Sequence, residues 1–140
     1  MAGSGDMLVH VIRRVAKLGI ADRFHFTGFL RGDEVQKMFG MSDVYVMPSV
    51  SEPFGISPLE AMKSNVPVII SKQSGVAEVL DYAIKVDYWD VDAMADAIYG
   101  LLKYPSLAAM SAEKGKSEVI NLKWDNAAGE VLDVYRSLVG

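Results

Sequence analysis

The sequence predicts an α/β domain built on a doubly wound parallel sheet. Three short runs, at residues 44–47, 66–70 and 83–86, are apolar almost throughout, as is typical of strands covered on both faces. Between them lie longer runs in which apolar residues recur three and four positions apart, which is the helical period. Short buried strands that alternate with helices favour a parallel sheet with helices on both faces. Ligands of such folds bind at the carboxyl ends of the strands.

Composition limits the class of protein. The 140 residues carry a net charge of -4, with 51% hydrophobic and 23% charged residues, and include no cysteine. This predicts one domain over residues 1–140, without disulfides, in a reducing compartment, and we expect it in the cytoplasm. No run rich in Lys and Arg is present, so neither nucleic acid nor an anionic membrane surface is an expected partner. No apolar segment reaches the roughly 20 residues of a membrane span.

The first part of the chain is expected to contain two helices and two strands. They are a helix over 7–18, a strand over 23–27, a helix over 33–41 and a strand over 44–47. Asp6 is a candidate N-cap of the first helix, and Gly19 is placed to end it. Asp33 lies in the first turn of the next helix, where its negative charge interacts favourably with the positive end of the helix dipole. Pro48 closes the strand before it.

The second part continues the alternation. We expect a helix over 58–64, a strand over 66–70, a short helix over 74–80, a strand over 83–86, and helices over 91–103, 105–121 and 124–139. Asp90 and Asp92 imitate a D-x-D metal motif. Since Asp90 directly precedes a helical run, capping is the preferred interpretation and no metal is expected. Lone His10 and His25 are interpreted as structural. Trp89 and Trp124 are interpreted as packing anchors.

The segment S-E-P-F-G-I-S-P-L-E, residues 51–60, admits two interpretations. In the first, Ser57 is an N-cap, Pro58 is the first helical residue and Glu60 completes a capping box, with Glu52 simply solvated. In the second, Gly55 leads into a helix N-terminus whose free amides bind phosphate. A carboxylate beside phosphate is repelled by it, so Glu52 and Glu60 would then accept hydrogen bonds from hydroxyl groups of ribose and sugar. Phosphate with two sets of hydroxyls describes a nucleotide sugar.

Several ordered motifs carry a family resemblance. V-Y-V-M-P-S-V-S-E-P-F-G-I-S-P-L-E-A-M, residues 44–62, resembles the E-x7-E segment of GT-B retaining glycosyltransferases, above all family 4, which includes bacterial glycogen and sucrose-phosphate synthases. The other matching segments are G-S-G at 3–5, F-T-G-F-L at 26–30, N-V-P-V-I at 65–69 and S-G-V-A-E at 74–78. Ser74 and Asn65 stand where the family pattern has glycine. The resemblance implies a Rossmann-like C-terminal half of a GT-B fold that lacks its first strand-helix unit.

The resemblance also implies roles for residues. Glu52 would be catalytic, beside the transferred sugar, and Glu60 would hold the ribose hydroxyls. The other donor-binding residues would be Phe54, Gly55, Ile56 and Ser57 around sugar and diphosphate, Gly28, Phe29 and Leu30 beside the base, and Gly75 and Val76 over the sugar. Such enzymes stabilise an oxocarbenium-like sugar and a departing diphosphate with amides and basic side chains. We therefore expect a nucleotide-diphospho-sugar substrate and neither cofactor nor metal.

The family pattern further implies parts that would lie before Met1. These are the Arg and Lys that clamp the diphosphate and the N-terminal acceptor domain. We therefore expect a donor-binding portion that is inactive by itself; the alternative is a noncatalytic nucleotide-binding or protein-interaction module. In the family topology the absent first strand is central, so two sheet edges would be exposed and a homodimer could form through them.

Overall fold

The computed structural model describes residues 1–139. Two compact units divide the chain, one over residues 1–38 and one from Phe39 onward. Helix α2 (Asp33–Gly40) runs across this boundary, and it starts where the sequence predicts. No helix within residues 1–139 is both long and apolar enough to cross a membrane.

Helix α1 (Leu8–Lys17) is the main element of the first unit. It ends as predicted, because Gly19 has a φ of 68° that L side chains rarely adopt. The predicted cap is wrong: the helix starts one residue later, with Met7 as N-cap and no side-chain hydrogen bond. Its inward face carries buried Val15, with Leu8 half-buried beside it.

The predicted strand over 23–27 does not form. A short 3-10 helix occupies Ala21–Arg23, and the following residues make only an isolated parallel bridge, between Ala2 and Gly28. The Gly3 amide donates to the Gly28 carbonyl at 2.7 Å. A strand needs a ladder of partners, and a single bridge with the first residues of the chain does not make one.

The second unit holds a three-stranded parallel sheet of β1 (Tyr45–Met47), β2 (Val68–Ser71) and β3 (Ile84–Val86) in the order β1-β2-β3. Ile69 pairs with Val46 on one side and with Ile84 on the other. All four residues of β2 are buried, which is expected of a central parallel strand. The parallel α/β prediction is confirmed.

Helices α3 (Ile56–Lys63), α4 (Val91–Lys103) and α5 (Pro105–Asn121) pack against this sheet. A 3-10 helix at Gly75–Glu78 takes the place of the predicted helix over 74–80, and the last helix is α6 (Trp124–Val139). Leu101 of α4 packs with Ile69 and Val86 of the sheet in one buried cluster. Helix α5 approaches α3 closely at Gly115. A Cβ at this position would lie 2.6 Å from the Met62 methyl group, so the absence of a side chain permits the approach.

Candidate functional site

Two loops join at the carboxyl edge of the sheet, one after β1 and one after β2. Glu52 and Ser74 form a parallel bridge beyond the strands. The Gly75 amide donates to the Glu52 carbonyl at 2.8 Å, and the Val76 amide donates to the Phe54 carbonyl at 2.9 Å. The two loops therefore continue the sheet as one hydrogen-bonded unit. Since both amides are used within the protein and Val76 is fully buried, these two residues shape the wall of the site and do not offer donors.

Glycine is required at two positions of these loops. A Cβ on Gly75 would overlap the Pro53 carbonyl oxygen. Gly55 has a φ of 88°, and a Cβ there would lie 3.0 Å from the Met47 methyl group. The close contact at Gly75 and the turn at Gly55 thus both depend on the absence of a side chain.

Two buried serines stabilise the loops: Ser71 bonds across to the segment after β1, and Ser74 bonds back within its own segment. The Ser71 hydroxyl donates to the Ser49 carbonyl at 2.6 Å, and the Ser74 hydroxyl donates to the Ser71 carbonyl at 2.7 Å. Ser71 is fully buried and Ser74 is 2% exposed. The hydroxyl gives Ser74 a structural use at the position where the family pattern has glycine. Our sequence interpretation missed Ser71, whose only signal is its place directly after the apolar run at residues 66–70.

The turn into α3 contradicts the capping box. Helix α3 begins at Ile56 with Gly55 as N-cap, two residues earlier than predicted, because the positive φ of Gly55 already turns the chain. Ser57 therefore lies inside the first turn, and its hydroxyl is 2.7 Å from the Tyr45 hydroxyl. Glu60 falls in the second turn, too far along to reach the N-cap amide.

This first turn leaves backbone donors open. No hydrogen bond within residues 1–139 uses the amides of Ile56 or Ser57, and Pro58 carries no N–H. Free amides and the positive end of the helix dipole favour an anion here. The flanking side chains of Phe54 and Ile56 are 43% and 68% exposed. The turn is therefore accessible from solvent.

Tyr45 links the two glutamates. Burial raises the pKa of the Tyr45 hydroxyl, the hydrogen bond between it and the Ser57 hydroxyl opposes that shift, and the negative charges of Glu52 and Glu60 add to it. Both carboxylates, each half-buried, thus lie within electrostatic range of one hydroxyl at the carboxyl edge. The Tyr45 ring also meets Phe39 edge-on, with centroids 5.7 Å apart. Sequence reasoning missed Tyr45, although a tyrosine within a buried aliphatic strand is a usable signal.

The predicted base-binding residues belong to the first unit, whereas the other predicted site residues lie together in the second. Gly28 has a φ of 69°. Phe29 is 68% exposed, and the Arg31 guanidinium lies 5.2 Å from the centroid of its ring. Leu30 is half-buried. Phe29 thus presents an open aromatic face beside a cation.

Near the ends of β2 and β3, the structure confirms one prediction and corrects another. The Asp90 carboxylate accepts the Ala93 amide at 3.0 Å and caps α4 as expected. Trp89 is not a packing anchor: it is 62% exposed and meets Tyr88 edge-on. Asp87 accepts hydrogen bonds from Lys72 and Gln73, and these bonds lower the pKa of its carboxyl.

Two other predictions concern metals and Trp124. Among the residues that the structure describes, none of the His, Asp and Glu side chains form a group of three that could hold a metal ion. The absence of a metal remains a prediction. The side chain of Trp124, the other expected packing anchor, lies outside the described residues.

Residues 1–118 match the family model of the glycosyl transferases, group 1. The chain belongs to the group 1 glycosyltransferase family. An uncharacterised glycosyltransferase of Methanocaldococcus jannaschii is 33% identical over 141 residues, which are 97% of this chain and 36% of that relative. This group 1 chain therefore spans about a third of the length of the relative.

Solved structures show the same fold. The C-terminal domain of a group 1 glycosyltransferase (LpcC) from Francisella tularensis is 25% identical and superposes with a TM-score of 0.76 over 84% of this chain and 62% of that one. The Anabaena protein HepE, solved in complex with UDP and glucose, gives a TM-score of 0.82 at 18% identity over 97% of this chain and 39% of that one. The predicted Rossmann-like fold of a GT-B C-terminal domain is confirmed.

Proposed function

We propose that this chain is the donor-binding part of a retaining hexosyltransferase of glycosyltransferase family 4 and binds a nucleotide-diphospho-sugar. One observation carries the proposal: the open amides at the start of α3 come between Glu52 and Glu60 in the chain, and the negative charges of both glutamates raise the pKa of the same hydroxyl, that of Tyr45. Membership of the group 1 family supports it. So does the complex of the similarly folded HepE with UDP and glucose.

The diphosphate is assigned to the first turn of α3. The amides of Ile56 and Ser57 have no acceptor within residues 1–139, and Gly55 has no side chain to keep a ligand away. Phosphate oxygens accept from such amides, and the helix dipole favours their charge. When the glycosidic bond breaks, negative charge grows on the leaving diphosphate, and fixed amide dipoles stabilise it.

The two carboxylates are assigned to hydroxyl groups. Glu60, in the second turn of α3, would accept from the ribose hydroxyls. Glu52, held on the joined loops, would contact the transferred sugar and stabilise its oxocarbenium-like charge, which is the catalytic role. Phe29 and its neighbours Gly28 and Leu30 would lie beside the base, and no metal is needed in this scheme.

The whole transfer reaction is assigned to more protein than this chain provides. The chain corresponds to 36% of one relative and 39% of the HepE chain. Acceptor binding would come from an N-terminal domain, as in larger GT-B enzymes. We therefore expect the isolated chain to bind donor without turning it over.

Calorimetry with the chain and its Glu60→Gln variant tests the nucleotide assignment. We expect one of UDP, ADP and GDP to bind with an affinity of about a millimolar, equivalent to roughly 4 kcal/mol. Glu60→Gln should weaken that binding about tenfold or more, because a hydrogen bond to a charged group contributes about 1.5 to 3 kcal/mol. Inorganic pyrophosphate lacks ribose, so its binding should not change in the variant.

Glu113→Gln, at an exposed position of α5, is the matched control and should bind like the parent chain. Equal weakening of pyrophosphate and nucleotide by Glu60→Gln would contradict the ribose contact. If neither pyrophosphate nor any of the three nucleotides binds, the donor site itself is wrong.

The role of Glu52 is tested by adding the sugar. Glu52→Gln should leave the binding of the nucleoside diphosphate unchanged and weaken that of the matching nucleotide-glucose. A variant that weakens both ligands equally would place Glu52 in the support of the loops and away from the sugar.

Self-association is a separate proposal. Strand β1 is an edge strand of the three-stranded sheet, and exposed edges pair with other chains. We propose a homodimer through the exposed sheet edges. Sedimentation equilibrium should give twice the chain mass of 15.3 kDa. A mass that stays at the monomer value with rising concentration would contradict the dimer.

A further inference from the structure

A basic stripe runs along helix α1. His10, Arg13, Arg14 and Lys17 are spaced at i, i+3, i+4 and i+7, which places them on one face of the helix. All four are exposed, and together they line one open concavity of about 370 Å³. We call these four residues the α1 basic stripe.

The stripe faces away from the packed side of the helix. Val15 is 5% exposed, and by the 100° rotation per residue the stripe lies roughly opposite to it. Between the two faces stand apolar residues that are not buried: Val9 is 56% and Ile12 is 44% exposed. A row of cations with an exposed apolar shoulder is the pattern of a helix that lies on a membrane surface.

The charge of the stripe is not neutralised locally. No acidic residue occurs between Asp6 and Asp22. Among residues 1–139, no ion pair involves the Arg or Lys side chains of the stripe. The whole chain has 18 acidic against 14 basic residues, so the uninterrupted positive charge of α1 contrasts with the net negative charge of the chain.

We propose that the α1 basic stripe binds the surface of an anionic lipid bilayer. Cations clustered on an amphipathic helix bind anionic headgroups, and the exposed Val9 and Ile12 add apolar contact with the acyl boundary. The exposed side chains of Val9 and Ile12 favour a bilayer over a nucleic acid, because a phosphate backbone offers them no apolar contact. Binding at the surface of a bilayer requires no membrane-spanning helix.

This proposal departs from our expectation from composition. The sequence contains no basic run, and so predicted no anionic surface as a partner. The four residues are interrupted by apolar ones in the chain, and only the helical period brings them together.

Vesicle binding of the intact chain tests the proposal. Co-sedimentation with vesicles of equal parts phosphatidylcholine and phosphatidylglycerol is compared with vesicles of phosphatidylcholine alone. The first should bind, and binding should weaken as salt rises, because the screening length falls to about 8 Å at physiological ionic strength. The triple variant Arg13→Gln, Arg14→Gln, Lys17→Gln should bind about a hundredfold more weakly, since each cation near such a surface contributes about fivefold.

The matched control removes the same charge elsewhere. Lys103→Gln, Lys116→Gln, Lys123→Gln changes three exposed residues outside the first unit and should keep most of the binding. Circular dichroism and thermal melts verify that both triple variants fold. If both triple variants lose vesicle binding equally, binding depends on the net charge of the chain and not on the α1 basic stripe, and the proposal is overturned.

Two further outcomes would also overturn it. One is an absence of binding to the phosphatidylglycerol vesicles at low salt. The other is that duplex DNA binds as tightly as the vesicles and depends on the α1 basic stripe in the same way. That result would identify the partner as a nucleic acid and not as a lipid surface.

Discussion

The amide of Gly75 donates a hydrogen bond to the carbonyl of Glu52 at 2.8 Å. This bond joins the loop after β1 to the loop after β2, so the glutamate proposed to face the sugar is positioned by the loop that follows the neighbouring strand. The position of Glu52 therefore depends on a backbone contact with the loop after β2.

Replacing Gly75 by alanine should break this junction. The added Cβ would overlap the Pro53 carbonyl oxygen, and backbone cannot give way as a side-chain tip can. We expect a loss of about 2 kcal/mol in the free energy of unfolding, measured by urea denaturation. Gly100→Ala, which has open space and lies within α4, should instead gain about 0.5 to 1 kcal/mol from helix propensity. Similar losses in both variants would contradict the steric explanation.

Ser71→Ala tests the buried hydroxyls. The change removes the donor to the Ser49 carbonyl, and a buried group left without its partner costs about 1 to 3 kcal/mol. We expect this loss in urea unfolding. The control Ser117→Ala, at an exposed position of α5, should stay within about 0.5 kcal/mol of the parent. If Ser71→Ala behaves like the control, the hydroxyl does not hold the loops.

Tyr45 should make the fold sensitive to alkaline pH. Burial raises the folded-state pKa of its hydroxyl above the ordinary value of 10.0. The neutral form is thus favoured by folding, so its contribution is complete below about pH 10 and is lost as pH rises through the folded-state pKa. Urea unfolding from pH 8 upward should show this decline, and Tyr45→Phe should flatten it. Tyr99→Phe, an exposed change, should retain the full decline; a flattened curve there would exclude Tyr45 as the source.

Asp90→Ala separates capping from metal binding. Loss of the side-chain bond to the Ala93 amide should lower the free energy of unfolding by about 1 kcal/mol. Asp92→Ala, in the same first turn without that bond, should cost less. Manganese should not raise the melting temperature of the parent chain. A rise that either aspartate variant abolishes would restore the D-x-D interpretation.

Elements whose signals are local could be predicted from the sequence. Pro105 opens α5 and Asp90 caps α4 as expected, because both act on backbone within one turn. The three strands of the sheet could be predicted because each is a short apolar run between helical segments. Elements that need a distant partner could not be predicted in this way. Residues 23–27 have the composition of a strand but form no bridge within residues 1–139, and the bridge nearest to them pairs Gly28 with Ala2.

The site shows the same division. The glycine and the two glutamates of residues 51–60 could be located from the sequence. The start of α3 could not, because Ser57 and Glu60 have the spacing of a capping box, whereas the positive φ of Gly55 starts the helix two residues earlier. Tyr45 and Ser71 escaped notice because their partners, Ser57 and Ser49, are chosen by the fold and not by spacing.

The joined loops also affect the rate at which a ligand could associate. Their hydrogen bonds, from the Gly75 amide and the Ser71 and Ser74 hydroxyls, are made by the protein alone. Ordering a flexible backbone costs about 1 to 2 kcal/mol of conformational entropy per residue. In these loops the backbone is already ordered when the protein folds, so ligand binding does not have to order it. A donor would meet a preorganised turn, so its association rate would be limited by diffusion and desolvation, with no waiting time for a loop to close.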